Sequence, residues 1–451
     1  MSSNLTRRSL LKTSSFVLGA TLMPLSATAA PADLNPQRLI RLNLNENAFG
    51  PSSNVEIAIQ REFSRLARYA DANAAQAFAE LIAAYKRIPV EQIVLGEILG
   101  ALGLYLGSQG GPGGEFIYST PGYLAHVDAA SHVGGIGVPV PLDVKYENDL
   151  PGLAAKINSR TRALYLINPH NPTGTVSADR PFKHFLREAS QHVPVIVDEA
   201  YLEYTAEFEI RSAVSLVREG VDVLVFRTFD KIHGLAGLPI GYTLAPRRLA
   251  DTLRKQGAGD AESLGRMNIA AASAALADTA HVARTRTITS SERTKWISAL
   301  DELKLAHTDS HANFIFFDAG RPQAELAAAF RARNVDIGRT FSPSLTWARI
   351  TVGLPEENRI AQQQLREVLR DIPKWRLTPD GIQQQMTTSS AQTRISSKDD
   401  FPITKSWVCG IRATKDKWPE LEMIDPAGSE NQYKGNDSYG NFTQSAYDQR
   451  A

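Results

Sequence analysis

One lysine of this chain, Lys231, stands in a setting typical of a reactive amine. The apolar run VDVLVF, residues 221–226, leads into RTFDKIHGLAG, so a buried strand is predicted to deliver the lysine into a glycine-punctuated turn. Two other apolar runs also end in polar side chains: ALYLI runs into NPHNPTG with Asn171, and VPVIV runs into DEAY with Asp198 and Tyr201. In parallel α/β sheets, ligands bind beyond the carboxyl ends of the strands. The sequence therefore predicts that an amine, an amide, a carboxylate and a phenol converge on one site.

A lysine and a carboxylate at such a crevice suit the chemistry of pyridoxal 5′-phosphate. The lysine forms an imine with the cofactor aldehyde, and the carboxylate keeps the pyridine nitrogen protonated, so that the ring accepts electrons from a substrate carbanion. The amide and the phenol can hydrogen-bond the ring hydroxyl. Once a substrate amine has displaced it, the lysine is a free amine that can carry the substrate's α-proton. Pyridoxal 5′-phosphate is therefore the predicted cofactor.

The elements that must position these residues follow from the hydrophobic pattern. From about Ile40 to Arg370, apolar runs alternate with amphipathic segments, which indicates a mainly parallel sheet covered by helices. ALYLI, VPVIV and VLVF are continuous β-branched and aliphatic runs, as expected of strands buried on both faces. After Ala280, a long polar-amphipathic helix leads into a smaller α+β region with NFIFF and ARITVG. We predict an N-terminal segment at 31–60 that joins the small domain, a large cofactor-binding domain at 61–285 and the small domain at 286–375.

Both ends of the chain differ from this α/β region. TRRSLLK, residues 6–12, pairs two arginines ahead of the weakly apolar FVLGATLMPL, and ATAA at 27–30 offers small residues for cleavage. Together they predict a twin-arginine export signal at 1–30 and a periplasmic protein. The apolar run is too short to span a bilayer, which needs about 20 residues, so we expect no stable membrane anchor. Residues 376–451 are polar and are predicted to form a flexible tail.

Composition argues against several other classes of protein. The formal net charge is +1, from 49 Lys+Arg against 48 Asp+Glu. No basic tract interleaves with aromatic residues, so we expect no nucleic-acid partner. The single cysteine, Cys409, excludes an internal disulfide and a cysteine-rich metal site. The nine histidines are scattered without ligand spacing, and no metal is expected.

At these motifs the chain resembles the fold-type-I aminotransferases, most closely the histidinol-phosphate aminotransferase-like branch of class I/II. The resemblance extends over roughly Ile40 to Arg370 and rests on eight motifs in the order of the family. They are LNLNENAFGPS, RYADA, TPGY, NPHNPTG, DEAY, TFDKIHGLAGLPIGY, HANFIFF and ARITVGLPEEN. Each motif alone is weak, but the ordered set is specific. The resemblance implies a large domain with a mainly parallel, seven-stranded-type sheet and a smaller α+β domain.

The resemblance also implies a role for each matching residue. Lys231 is the imine-forming lysine and Asp198 the partner of the pyridine nitrogen, with Asn171 and Tyr201 on the ring oxygen. The remaining implied contacts are Tyr123 stacked over the ring, Thr228 on the phosphate, Tyr69 on the phosphate of a partner subunit, and Arg349, Asn47 and Arg339 on the substrate. The role of Tyr69 implies a homodimer. The forked guanidinium of Arg349 suits a substrate α-carboxylate.

The departures from the family cluster on the cofactor phosphate. Asp230 stands where the family commonly has serine, and Pro239 stands where it commonly has arginine. The helix start that usually carries hydroxyls reads GEILGALG, residues 96–103. The phosphate is then expected to rely on Thr228, the partner's Tyr69 and backbone N–H groups at that helix start. Asp230 either faces the phosphate, which is unfavourable, or turns away to a cation such as His233 or Arg227.

Three functions remain open at this point. The first is transfer of an amino group between an amino acid, or an amino-alcohol-type amine, and a 2-oxo acid. The second is another reaction of the same imine, such as oxidation, elimination or cyclisation of an amino acid. The third is a non-catalytic binding protein on the same scaffold. Arg339 hints at an anionic substrate, although a surface salt bridge explains it equally well.

Overall fold

The computed structural model of the protein describes residues 39–371. The predicted export signal at 1–30 and the predicted tail at 376–451 lie outside the described residues. None of the helices within 39–371 is long and apolar enough to cross a membrane.

A seven-stranded sheet forms the centre of the described chain. Its spatial order is β2-β8-β7-β6-β5-β3-β4, and β8 runs antiparallel to both of its neighbours while the pairs from β7 to β4 are parallel. The mainly parallel sheet predicted from the sequence is thereby confirmed. The strands are β2 (Ile93–Leu95), β3 (Glu115–Thr120), β4 (Ile136–Pro141), β5 (Thr161–Ile167), β6 (Val195–Asp198), β7 (Val223–Thr228) and β8 (Gly241–Leu244).

The three strands in the middle of this sheet are buried on both faces. β5, β6 and β7 consist almost entirely of β-branched and aliphatic residues, and Leu164, Ile196 and Val225 are each 0% exposed. Helices cover the two faces, so both sets of alternating side chains pack into apolar cores. Neighbouring parallel strands end at the same edge of the sheet, which brings the segments after β5, β6 and β7 together.

The helices of the described region are mostly short and amphipathic. In the helix that follows β5, Phe182, Phe185, Leu186 and Ala189 form the buried face, and charged residues form the other. The α-helices are α1 (Ser53–Glu62), α2 (Ala72–Lys86), α3 (Leu99–Ser108), α4 (Ala125–Ser131), α5 (Leu150–Ala154), α6 (Asp179–Ala189), α7 (Phe208–Arg211), α8 (Val214–Arg218), α9 (Arg247–Lys255), α10 (Arg266–Ala277), α11 (Thr279–Glu302), α12 (Gln323–Arg331) and α13 (Pro355–Asp371). Short 3₁₀ helices lie at Phe63–Arg65, Val90–Gln92, Leu202–Tyr204 and Ala261–Ser263.

Two small sheets lie in the remainder of the described chain. The strand β9 (Phe314–Asp318) pairs antiparallel with β11 (Trp347–Thr351), and β1 (Ile40–Leu42) pairs parallel with β10 (Val335–Ile337). Their core includes the fully buried Trp296 of α11, whose indole N–H donates to Asn358 Oδ1 at 3.0 Å. The first described strand is therefore part of a region otherwise built from the C-terminal third of the chain. The domain boundaries proposed from the sequence stay predictions.

Candidate active site

Three predicted residues lie where consecutive strands end. Asp198 is the last residue of β6, Lys231 lies three residues beyond β7, and Asn171 lies four residues beyond β5. Asp198 and Asn171 are buried, and Lys231 is half-buried in its turn. The charge of Lys231 lowers the pKa of Asp198, which places the amine within electrostatic reach of the carboxyl.

The Asp198 carboxyl is held by two neutral donors. Its Oδ2 accepts from the Tyr165 hydroxyl at 2.9 Å and its Oδ1 accepts from the Ala200 N–H at 3.0 Å. Burial nevertheless raises the pKa of Asp198 to about 6, although both hydrogen bonds and Lys231 oppose the shift. A carboxylate in this surrounding gains from a cationic N–H partner, which is what a protonated pyridine nitrogen provides.

Arg349 is fixed beside the predicted cofactor position. It lies in the middle of β11, and its guanidinium donates to Asn171 Oδ1 and to the Asn43 carbonyl oxygen, each at 2.7 Å. Its Nε is buried without a hydrogen-bond partner within residues 39–371. Burial lowers the pKa of Arg349 to about 10, which still leaves it cationic at neutral pH. A buried guanidinium with a free N–H favours an anionic ligand such as a carboxylate.

Tyr201 is positioned by the N-terminal segment. Its hydroxyl accepts from Asn45 Nδ2 at 3.1 Å, and its ring meets Phe314 edge-on at 5.0 Å. Asn45 adopts a positive φ of 58°, and its N–H donates to the Thr351 hydroxyl at 3.0 Å. The segment before α1 therefore orients a residue that the sequence assigns to the cofactor.

The same segment packs against the Lys231 turn. Asn47 Nδ2 donates to the Ile232 carbonyl oxygen at 2.9 Å, so this side chain holds the turn; its predicted role in substrate binding stays a prediction. Gly234 has a φ of 74°, and a Cβ there would lie 2.5 Å from the carbonyl carbon of Gly50. Only glycine allows the two backbones to approach this closely.

A buried ion network lies behind the Lys231 turn. Arg227 pairs with Glu199 at 2.7 Å and with Glu203 at 3.2 Å, and His233 lies 3.8 Å from Glu203. Arg227 is thus paired with carboxylates other than Asp230, and burial lowers the pKa of His233, which disfavours its cationic form. The alternative in which Asp230 turns away to His233 or Arg227 is wrong.

Two carboxyl groups instead lie together at the end of β7. Glu97, just before α3, lies against β8, because a Cβ on Gly241 would be 2.6 Å from Glu97 Oε1. The Thr228 hydroxyl accepts from the Asp230 N–H at 3.0 Å and faces both carboxyls, whose pKa values are raised by burial and lowered by Thr228. Glu97 Oε1 and Asp230 Oδ1 are each buried without a hydrogen-bond partner within the described chain. We call Glu97, Thr228, Asp230 and Gly241 the cup.

The remaining predicted residues lie around this centre. Tyr123 follows β3 and is 46% exposed. Burial and then the charge of Asp198 raise the pKa of its phenol to about 12, so the Tyr123 phenol lies within electrostatic reach of the Asp198 carboxyl. Arg339 is exposed and stacks over Phe341 at 4.5 Å, the ring that Arg349 approaches at 5.0 Å. Tyr69 is 81% exposed and is not brought to the site of its own subunit.

The structure adds residues that the sequence reasoning did not identify. Tyr165, a phenol inside an aliphatic strand, requires a hydrogen-bond partner when buried, and that requirement signals its bond to Asp198. Asn45 and Glu97 carried no such signal. Glu97 lies in the GEILGALG segment, whose missing hydroxyls were evident from the sequence, whereas a role for the Glu97 carboxyl was not predicted.

Pyridoxal 5′-phosphate fits the ring half of this site on the residues present. Asp198 offers a buried carboxylate to the ring nitrogen, and Asn171 and Tyr201 offer the amide and the phenol expected at the ring oxygen. At the predicted phosphate position, the carboxyl end of the strand that leads to Lys231, the cup offers two acids, which fit a phosphate poorly when both are ionised. The ligand contacts of all these residues stay predictions. The fold and the site together define a fold-type-I enzyme that depends on pyridoxal 5′-phosphate.

Comparisons with known proteins identify the family. Residues 37–365 match the family described as aminotransferase class I and II. The chain is 33% identical over 346 residues to histidinol-phosphate aminotransferase of Moorella thermoacetica, covering 75% of this chain and 87% of that one. It is 32% identical over 322 residues to aromatic amino acid aminotransferase of Thermobifida fusca, covering 71% and 88%. The crystal structure of histidinol-phosphate aminotransferase from Sinorhizobium meliloti in complex with pyridoxal-5′-phosphate matches with a TM-score of 0.68 and 27% identity, over 74% and 92% of the two chains.

The chain belongs to the class I and II aminotransferases. It is an enzyme of the transaminase type, and pyridoxal 5′-phosphate is its cofactor.

Proposed function

We propose that the protein transfers an amino group between an α-amino acid and a 2-oxo acid in the periplasm. The observation that carries the proposal is the placement of Arg349, whose guanidinium bonds Asn171 at 2.7 Å. One hydrogen bond thus joins the predicted substrate anchor to a predicted cofactor residue. A substrate carboxylate on Arg349 would be held at a fixed position relative to the ring.

The chain's own residues divide the work of the reaction. The cofactor, when bound, supplies the electron sink that stabilises negative charge at the substrate α-carbon. Asp198, held by Tyr165 and Ala200, keeps a negative charge beside the ring nitrogen. Lys231 Nζ holds the cofactor at rest and afterwards carries the proton from the substrate α-carbon. Arg349 orients the substrate so that this proton faces Lys231.

Arg339 supports a preference for substrates with an anionic side chain. It stacks on Phe341, the same ring that Arg349 approaches, and its charge lowers the pKa of Arg349. Two guanidinium groups on one ring suit a ligand with two negative groups. The relatives include enzymes named for histidinol phosphate and for aromatic amino acids, so substrate choice varies within the family.

Export and dimerisation are parts of the same proposal. Arg7 and Arg8 ahead of an apolar stretch support a twin-arginine signal, a route that carries folded proteins and suits an enzyme loaded with cofactor. A homodimer is supported by a run of exposed apolar residues around α1: Ile57, Phe63, Leu66 and Tyr69 are 48%, 55%, 56% and 81% exposed. A partner seated there would cover them and would receive Tyr69 at its phosphate.

The test is a half-reaction of the purified holoenzyme with single amino acids. Conversion of the visible absorbance to that of the amine form of the cofactor, with release of the matching 2-oxo acid and without ammonia or peroxide, supports aminotransfer. Ammonia or peroxide would assign elimination or oxidation instead. Absence of any reaction with a panel of amino acids by a protein that binds the cofactor would favour the binding-protein alternative. Lys231→Ala is the matched control, because it removes the amine and leaves Arg349 in place.

A further inference from the structure

The cup has the wrong charge for a phosphate dianion if both of its acids are ionised. Glu97 and Asp230 both face the Thr228 hydroxyl, and each has one buried oxygen without a hydrogen-bond partner within the described chain. A hydroxyl has a single proton, so Thr228 donates to one carboxyl at a time. Two carboxylates so close together, with a third anion added, are strongly unfavourable.

The second question is which positive charge could balance the Glu97 and Asp230 carboxylates. Within residues 39–371 no group of three or more His, Cys, Asp or Glu is arranged to hold a metal ion. Lys231 lowers the pKa of both carboxyls, but its amine is engaged with the cofactor at rest. Protons on the two carboxyls are a source of positive charge that the described residues themselves supply.

We propose that Glu97 and Asp230 bind the cofactor phosphate as neutral carboxylic acids, each donating a hydrogen bond from its own proton to a phosphate oxygen. The inference relies on the proposed function only for the presence of the cofactor. The buried oxygens that lack partners, Glu97 Oε1 and Asp230 Oδ1, then gain one, which removes the cost of two unsatisfied polar atoms.

The surroundings of the pair favour the neutral form. Burial and then the charge of Asp230 raise the pKa of Glu97 to about 8, and burial raises that of Asp230. The ionisable groups that face Glu97 are Asp230 and Lys231 after β7, Asp198 at the end of β6 and the Tyr123 phenol after β3. Of these, only Lys231 favours the ionised acid. A phosphate adds negative charge and shifts the balance further towards the protonated form.

The consequence is a cofactor affinity that falls at alkaline pH. If the bound state keeps a proton that the free state loses above about pH 8, binding takes up that proton and weakens as the pH rises. Pyridoxal, which lacks the phosphate, provides the reference, because it shares the ring and the lysine chemistry. The ratio of the two dissociation constants therefore isolates the phosphate from every other titration in the site.

The experiment titrates apo-protein with pyridoxal 5′-phosphate and with pyridoxal, followed by absorbance. It runs from about pH 6.5, above the second pKa of a phosphate ester near 6, to about pH 9.5, where one proton changes the affinity by about tenfold for each pH unit. We expect the preference for the phosphorylated form to fall above pH 8 in the natural protein. Glu97→Gln keeps a donor that does not titrate, so its preference should fall less steeply with pH, and Glu97→Gln combined with Asp230→Asn should make the preference flat. Glu91→Gln, an exposed acid before β2, makes the same charge change outside the cup and should follow the natural protein.

Two outcomes would overturn the proposal. A preference in the natural protein that is flat or rises with pH would show that no proton is taken up. A preference that collapses on addition of a chelator and returns with Mg²⁺ or Ca²⁺ would assign the cup to a bridging cation. Infrared spectra of the apo-protein below about pH 8 give a second readout without cofactor: a protonated-carboxyl band should be lost in Glu97→Gln. Failure of aminotransfer with the pH-dependent preference intact would leave this inference standing.

Discussion

Replacing Asp198 by asparagine should stabilise the protein without its cofactor while impairing cofactor binding. Asp198 is 3% exposed, and its carboxyl oxygens accept only from the neutral donors Tyr165 and Ala200. An asparagine of the same shape keeps an acceptor for Ala200, and its amide can donate to the Tyr165 oxygen, although the Tyr165 hydroxyl proton then loses the acceptor that Asp198 provides. The substitution therefore removes a buried charge with little change in packing.

The magnitude follows from the pKa of this carboxyl. Burial raises it from 3.8 to about 6, a shift of about two units, and each unit corresponds to about 1.4 kcal/mol. Because the folded pKa is raised, the ionised form destabilises the fold, fully above about pH 6 and not at all below about 3.8. The free energy of unfolding of the apo-protein should thus rise by up to about 3 kcal/mol in Asp198→Asn above pH 6.

Urea unfolding of both apo-proteins, above pH 6 and near pH 3.8, measures this difference. The two stabilities should converge at the lower pH, where natural Asp198 is also neutral. With cofactor bound the sign should reverse, because the variant loses the ion pair with the ring nitrogen. An apo-variant that is less stable than the natural protein above pH 6, or a difference that is independent of pH, would refute the reasoning.

Three other variants test separate parts of the site. Lys231→Ala should abolish both the visible absorbance of the bound cofactor and turnover; a borohydride-trapped adduct on a different lysine would contradict the assignment. Arg349→Lys keeps the charge but loses the planar guanidinium that bonds both Asn171 and the Asn43 carbonyl oxygen, so KM for the amino acid should rise at least about tenfold with the cofactor absorbance unchanged. An unchanged KM would remove Arg349 from substrate binding. Asp230→Ser combined with Pro239→Arg should tighten cofactor binding by about tenfold or more, at about 1.4 kcal/mol per decade; unchanged or weaker affinity would show that the cup is complete as it stands.

The predictable part of the site is the part carried by strand ends. The runs before Asp198 and Lys231 are aliphatic and β-branched, and such runs define buried parallel strands by composition alone. Once the strands are parallel, the residues that follow them must meet at one edge. The proximity of Asn171, Asp198 and Lys231 could therefore be predicted from the sequence.

The part that could not be predicted depends on pairings between distant segments. Glu97 meets Asp230 only because β8 returns antiparallel between β7 and β2, which sets the Gly96 N–H on the Gly241 carbonyl oxygen at 2.7 Å. No local sequence pattern predicts that β8 alone runs antiparallel to its neighbours. Asn45 reaches Tyr201 through a positive φ that its neighbours do not encode. The alternative that paired Asp230 with Arg227 was wrong because a distant segment intervenes. Glu199 and Glu203, which follow β6, form ion pairs with Arg227 instead.

The pairing of β1 with β10 also sets the order in which the site can be assembled during synthesis. Ile40 is opposite Val335, so this strand pair, which anchors the segment that carries Asn45, Asn47 and Gly50, cannot form until the ribosome has made almost the whole described chain. Until then the segment that covers Tyr201 and the Lys231 turn lacks this anchor. The earliest-made part of the site is thus among the last to be anchored.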